Sequence, residues 1–171
     1  MKPIASLQPE LEMTDEPLTP VVSRDVGFAE LFATHRDAMT RLAYLLTGSA
    51  SHADEAVQES FARVYQRWSA IDSPPAFLRT CVVNRCRSWH RRRAVAERKV
   101  HLVSNDDVYL DRPDELADAL ARLPHRRRAA VVLRFYEQLT IAEIATTLGI
   151  SDGAVKSSLH RGLDQLKGMI S

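Results

Sequence analysis

Residues 140–166, TIAEIATTLGISDGAVKSSLHRGLDQL, decide how this chain is read. They spell a helix, a tight turn and a second helix. Thr140 is placed to cap the first helix, and Glu143, three residues on, completes a capping box. Ile141, Ile144, Ala145 and Leu148 recur at helical spacing. Gly149 supplies the left-handed residue that ends that helix, and Ser151 caps the next. Val155, Leu159, Leu163, Leu166 and Ile170 form the apolar stripe of the second helix. Asp152, Lys156, Ser157, His160 and Arg161 lie opposite. Side chains so placed reach phosphates and base edges when the helix lies in a major groove. The plain alternative is a helical hairpin with a solvated face.

The charge distribution favours the nucleic-acid reading. The net charge of the 171 residues is only +1. Residues 79–99 nevertheless carry +7 and residues 122–134 carry +5, while residues 1–20 and 100–121 carry −3 and −5. Two basic blocks between acidic segments point to two separate contacts with a polyanion; two solvated helical faces are the alternative. A 45% apolar and 26% charged composition is that of a soluble globular protein. No apolar run is long enough to span a membrane, and the acidic, proline-bearing start is not a secretory signal. These features point to the cytoplasm. The spacing of Cys81 and Cys86 is not a metal-ligand pattern, so both are expected as buried thiols. No cofactor is expected. Paired carboxylates, a nucleophile constellation and a phosphate-cradling glycine loop are all missing, so no enzyme is expected either.

Working outward, residues 1–22, with four prolines, read as a disordered extension. Residues 26–47 are helical by the recurrence of Phe28, Leu31, Phe32, Met39, Leu42, Ala43, Leu45 and Leu46, with Gly48 ending the helix. Ser51 and Asp54 open the next in capping-box style, with Ala53, Val57, Phe61, Val64 and Trp68 as its stripe. A third helix starts near Pro75 and buries Leu78, Cys81, Val82, Cys86 and Trp89. Thr80, Asn84, Arg87 and Arg91 share another of its faces. Residues 100–112 lose periodicity and read as an acidic linker. Helix resumes at Pro113, packed by Leu116, Ala119, Leu120 and Leu123. Pro124 starts another, whose Ala129, Val132, Leu133 and Tyr136 face inward.

The order of these features resembles a family. A striped helix carries HADEAVQESF (52–61), the next carries Asn84 and a terminal arginine cluster, and an acidic linker leads to the helix-turn-helix. This is similar to the extracytoplasmic-function sigma factors of bacterial transcription. AYLLTG (43–48) and YQRW (65–68) look most like the actinobacterial branch. The match runs over roughly residues 26–168. It implies an all-α fold of two small helical domains joined by a flexible linker: sigma region 2, a bundle of three to four helices at 23–99, and sigma region 4, the helix-turn-helix bundle at 113–171.

The resemblance also implies roles. Asp54, Glu55, Gln58, Glu59 and Arg63 would dock on the clamp helices of the largest polymerase subunit; a solvated acidic face is the other reading. Thr80, Asn84, Arg87, Arg91, Arg92 and Arg93 would bind the −10 element, with Asn84 contacting a base edge and the arginines holding phosphates. Trp89 is either a stacking platform or core. Ser151, Lys156, Ser157, His160 and Arg161 would read the −35 element, although Arg161 can instead cap the domain's own carbonyls. Arg126, Arg127 and Arg128 would touch flanking phosphates or polymerase. Expected partners are core RNA polymerase (clamp helices and flap region), promoter DNA and an anti-sigma factor, with the free chain a monomer. Gly162 stands where many relatives carry alanine, and His90 where they often carry an acid. A free-standing helix-turn-helix regulator would account for residues 113–171 but leave Asp54, Gln58 and Glu59 without a task. A module that sequesters another factor fits poorly with two separate basic blocks.

Overall fold

The computed structural model describes residues 19–99 and 115–170. Among them every regular element is helical. Helices α1 (Thr19–Thr47), α2 (Ala50–Arg67) and α3 (Pro74–Lys99) form an N-terminal bundle, with a 3-10 turn at Trp68–Ala70. Helices α4 (Glu115–Ala121), α5 (His125–Phe135), α6 (Ile141–Leu148) and α7 (Asp152–Ile170) form a C-terminal one.

Each boundary has a local cause. Gly48, at φ 74°, ends α1. The α2 cap is Ser49, whose side chain accepts from the His52 amide, rather than the expected Ser51. Gly48 turns the chain sharply enough that helical geometry resumes at Ala50, so Ser49 is the last extended residue, at φ −131°. Helix α1 begins at Thr19, inside the expected extension. The expected linker 100–112 and the restart at Pro113 lie outside the described residues.

The apolar stripes are buried largely as their spacing requires. Leu42, Val64, Leu78, Val82, Leu133, Ile144 and Val155 are fully enclosed. Three expected core residues are exposed instead. Phe32 is 41% exposed, Leu116 54% and Tyr136 40%. Phe32 lies at the rim, tilted on Phe61 with centroids 4.8 Å apart. Ala117 is buried in α4 where Leu116 is not. Tyr136, just past the end of α5, points its hydroxyl at the Ala38 carbonyl across the molecule (3.4 Å).

The two bundles pack on one another. Helix α1 touches α4 and α5, and α3 touches α5 and α6. Their buried side chains form one continuous apolar cluster.

Candidate nucleic-acid and polymerase surfaces

The helix-turn-helix is built as its sequence requires. Thr140 Oγ1 accepts from the Glu143 amide (3.2 Å) and the Thr140 amide donates to Glu143 Oε2 (2.8 Å). The Thr140 amide, and then its hydroxyl (2.7 Å), both donating to Glu143 Oε2, hold that carboxyl below the usual carboxylate range. Gly149 sits at φ 64°, ψ 42°. Ser151 Oγ accepts from the Ala154 amide (3.2 Å) and so caps α7. Val155, Leu159 and Leu166 are buried, while Asp152, Lys156, Ser157, His160 and Arg161 all face solvent. His160 Nε2 lies 3.3 Å from Asp164 Oδ2, one turn on.

Gly162 is required by packing. A Cβ there would stand 2.9 Å from Val131 Cγ2 and 3.5 Å from Arg127 Cβ. At that position α7 crosses α5 so closely that an added side chain would force Val131 or one of the helices to shift.

On α2, Asp54, Glu55, Gln58, Glu59 and Arg63 are all exposed, and no helix of the C-terminal bundle is among the principal neighbours of α2. Glu59 pairs with Arg85 of α3 at 2.7 Å. Arg63 belongs with a different neighbourhood: it lines a cleft of about 330 Å³ together with Phe77, Thr80, Cys81, Asn84, Arg85 and Ser88. The α3 face is thus partly assembled from α2. Asn84, Arg91 and Arg92 are exposed beside this cleft or further along α3. Arg93 lies over the Trp89 ring, 5.4 Å from its centroid. Trp89 is half-buried between His52 and His90, each with centroids 4.7 Å away, so its faces are already covered. Cys81 and Cys86 are buried free thiols, and burial pushes the Cys86 thiol up to about 12, which leaves it unreactive.

The arginine trio at the start of α5 divides. Arg126 is exposed. Arg127 donates to Gln165 Oε1 of α7 (3.0 Å). Arg128, expected on flanking phosphate or on polymerase, is only 5% exposed. It donates to the Leu46 carbonyl of α1 (2.9 Å) and to the carbonyls of Ala121 and Leu123. It is a structural cation: α5 turns it inward, onto helix ends whose carbonyls lack intrahelical partners. Burial lowers its pKa to about 10, which keeps it charged at neutral pH. Its Nε has no hydrogen-bond partner among the described residues. Arg87 too is engaged, through a 2.9 Å bond to the Leu148 carbonyl at the end of α6.

Two histidines stand beside these arginines: His90, noted in the sequence only as a departure from relatives, and His125, which sequence reading missed. His90 Nε2 donates to the Leu46 carbonyl (2.7 Å), and its ring lies 5.6 Å from that of His125. Burial holds the His90 imidazole down to about 4; the Leu46 carbonyl opposes the shift, and Arg128, His125 and Arg93 add to it. Burial, then Arg87, Arg128 and Arg126, lowers His125 as well. Among the described residues no cluster of side chains could hold a metal, and no helix is long and apolar enough to cross a membrane.

A helical protein with a capped helix-turn-helix, an exposed basic face on its second helix and another basic helix in a separate bundle has the build of a nucleic-acid-binding protein. Comparison makes the class specific. The sigma-70 region 2 model matches residues 31–95, and the sigma-70 region 4 model matches residues 114–166. The RNA polymerase sigma-E factor of Streptomyces coelicolor is 35% identical over 148 residues, 82% of this chain and 84% of that protein. The ECF RNA polymerase sigma factor SigE of Mycolicibacterium smegmatis is 32% identical over 94% of this chain and 71% of its own length. Among solved structures, the sigma factor RpoE bound to the anti-sigma factor NepR from Bartonella quintana superposes with a TM-score of 0.74 at 19% identity, covering 84% of this chain and 96% of that one. The chain belongs to the extracytoplasmic-function sigma factors.

Proposed function

We propose that this alternative sigma factor docks on core RNA polymerase through the outer face of α2 and reads promoter DNA with α3 and α7. The observation that carries the reading is the joint exposure, on one chain, of polar surfaces on three different helices. These are Asp54, Glu55, Gln58 and Glu59 on α2; Asn84 with Arg91 and Arg92 on α3; and Lys156, Ser157, His160 and Arg161 on α7. A free-standing regulator needs only the last of these.

The division of labour follows from chemistry. The acidic and amide groups of α2 suit a basic partner surface, where charge sets orientation more than affinity. The cleft beside Asn84 has room for one unstacked base, with an amide that both donates and accepts at its edge. The α3 arginines supply the salt-dependent hold on phosphate. On this reading residues 23–99 are the polymerase and −10 unit, 113–171 the −35 unit and 100–112 the link between them. The chain performs no chemistry and works in the cytoplasm, where transcription occurs. The complex of the structural neighbour RpoE with the anti-sigma factor NepR, and that of the neighbour CnrH with the cytosolic domain of CnrY, support a protein partner of this kind here.

The test is co-elution of the full chain with bacterial core RNA polymerase, alongside the Asp54→Ala/Gln58→Ala/Glu59→Ala variant. Binding that the triple change weakens about tenfold or more, roughly 1.4 kcal/mol, supports the assignment. No binding by the parent chain, with sequence-selective DNA binding retained, refutes it.

A further inference from the structure

Charge at the start of α5 is placed against the ordinary rule. The positive end of a helix usually carries acids. Here the first turn holds none and reads His125, Arg126, Arg127, Arg128. Pro124, just before it, provides no side-chain cap. Beside this turn lies a cleft of about 190 Å³. Arg87 and His90 of α3 join His125 and Arg126 of α5 in its wall, and no acidic side chain is among its described lining residues. The rest of the wall is apolar, with Val83, Ala129, Leu148 and Ile150 among its residues. Burial comes first in lowering both imidazoles, and neighbouring arginines add to it at each, as positive charge without a counter-anion must. Arg128, in the same turn, is buried against carbonyls rather than a carboxylate, so it leaves that charge unmatched.

We infer that this cleft is a binding site for a small aromatic carboxylate, its ring among the apolar walls and its carboxylate at the start of α5. The site is independent of the polymerase and DNA assignments. Size sets the body of the ligand. An apolar cavity of about 150 Å³ holds one benzene, so this cleft takes a ring with one substituent. Charge sets the head group. A helix start and guanidinium groups are the natural partners of a carboxylate. Arg87 spends one donor on the Leu148 carbonyl and keeps the others, and Arg126 is exposed. His90, whose Nε2 is committed to the Leu46 carbonyl, offers its ring instead. Guanidinium groups stack on aromatic faces, which favours a ring over a straight chain. Phosphate would satisfy the donors but leave the apolar walls empty. A neutral ring would fill the walls but leave the cations unmatched. Binding to the folded chain alone would also stabilise it by mass action.

Titration of the full chain with para-fluorobenzoate, followed by fluorine NMR, tests the site. The parent should bind one molecule saturably, with a Kd on the order of 0.1–1 mM. Neutral para-fluorobenzyl alcohol and inorganic phosphate should each bind about tenfold more weakly or worse. His125→Glu puts an acid where a helix start prefers one, so the fold is kept, and its carboxylate should weaken para-fluorobenzoate by about tenfold or more. Arg122→Gln matches that change in net charge from an exposed position outside the cleft and should leave the Kd unchanged. Ala129→Leu fills the cleft and should abolish saturable binding with helicity by circular dichroism retained; if it unfolds, His125→Glu decides. No saturation by about 10 mM, equal binding of the alcohol or of phosphate, a folded Ala129→Leu that still binds, or a loss in His125→Glu no larger than in Arg122→Gln would overturn the inference.

Discussion

Gly162 gives the sharpest test of the packing argument, because its substitution changes sign with its neighbour. In an exposed helix Gly→Ala stabilises by about 0.8–1 kcal/mol. Here the new methyl would lie 2.9 Å from Val131 Cγ2, about an ångström inside normal contact. Val131 is 6% exposed, and a valine in a helix is held to essentially one rotamer. It cannot swing away, so α7 must lift from α5. Overpacking of this kind costs about 1–3 kcal/mol, which leaves Gly162→Ala destabilising by roughly 0–2 kcal/mol after the propensity gain. In a Val131→Ala background the clash is gone, and Gly162→Ala should then stabilise by up to about 1 kcal/mol. Urea unfolding of the four chains, followed by far-ultraviolet circular dichroism, closes the cycle, with a coupling of about 1–3 kcal/mol. If Gly162→Ala has the same effect in both backgrounds, the crossing does not exclude a side chain and the reasoning fails.

Acid should weaken the fold through His90. Its folded pKa of about 4 lies below the ordinary 6.5. As pH falls through that window the unfolded chain takes up a proton that the folded chain refuses, so stability present above 6.5 is progressively lost toward 4. With the ring only half-buried, the loss is discounted to about 1–2 kcal/mol. His90→Gln, which keeps a donor for the Leu46 carbonyl, should flatten the urea midpoint between pH 7 and 4.5 relative to the parent; parallel curves would count against the assignment. For DNA, Asn84→Ala should reduce permanganate reactivity of an opened promoter more than duplex affinity, and equal losses would remove Asn84 from base capture. Lys156→Ala/Arg161→Ala should weaken −35 binding by gel shift while leaving polymerase co-elution intact. Unchanged binding would move recognition elsewhere on α7.

The local structure was legible because its determinants are local. A capping box spans three residues, a left-handed glycine one, and an apolar stripe repeats every three or four, so Thr140–Glu143, Gly149 and the α5–α7 stripes could be read directly. Phe32 and Leu116 misled for the complementary reason. Periodicity says which face of a helix an apolar residue occupies, not whether a neighbour covers that face. Gly162 was visible only as an oddity. Its cause is Val131, thirty-one residues away, and no pattern in one helix encodes the distance to another.

The arginines were harder still, because one side chain serves two physically opposite ends. A guanidinium is the natural ligand for phosphate, and a run such as Arg126-Arg127-Arg128 reads as a single basic patch. Consecutive residues on a helix point about 100° apart, however, so a run of three must address three directions. Here one faces solvent, one a glutamine on α7, and one the carbonyl-rich ends of α1 and α4. Helix C-termini and DNA backbones both present unpaired oxygens and negative potential. The chemistry that suits an arginine for one suits it for the other. Arg87 shows the overlap: one of its five N–H donors is spent on the last carbonyl of α6, yet the residue stays exposed, so a contact with the chain's own backbone and one with a polyanion draw on the same side chain.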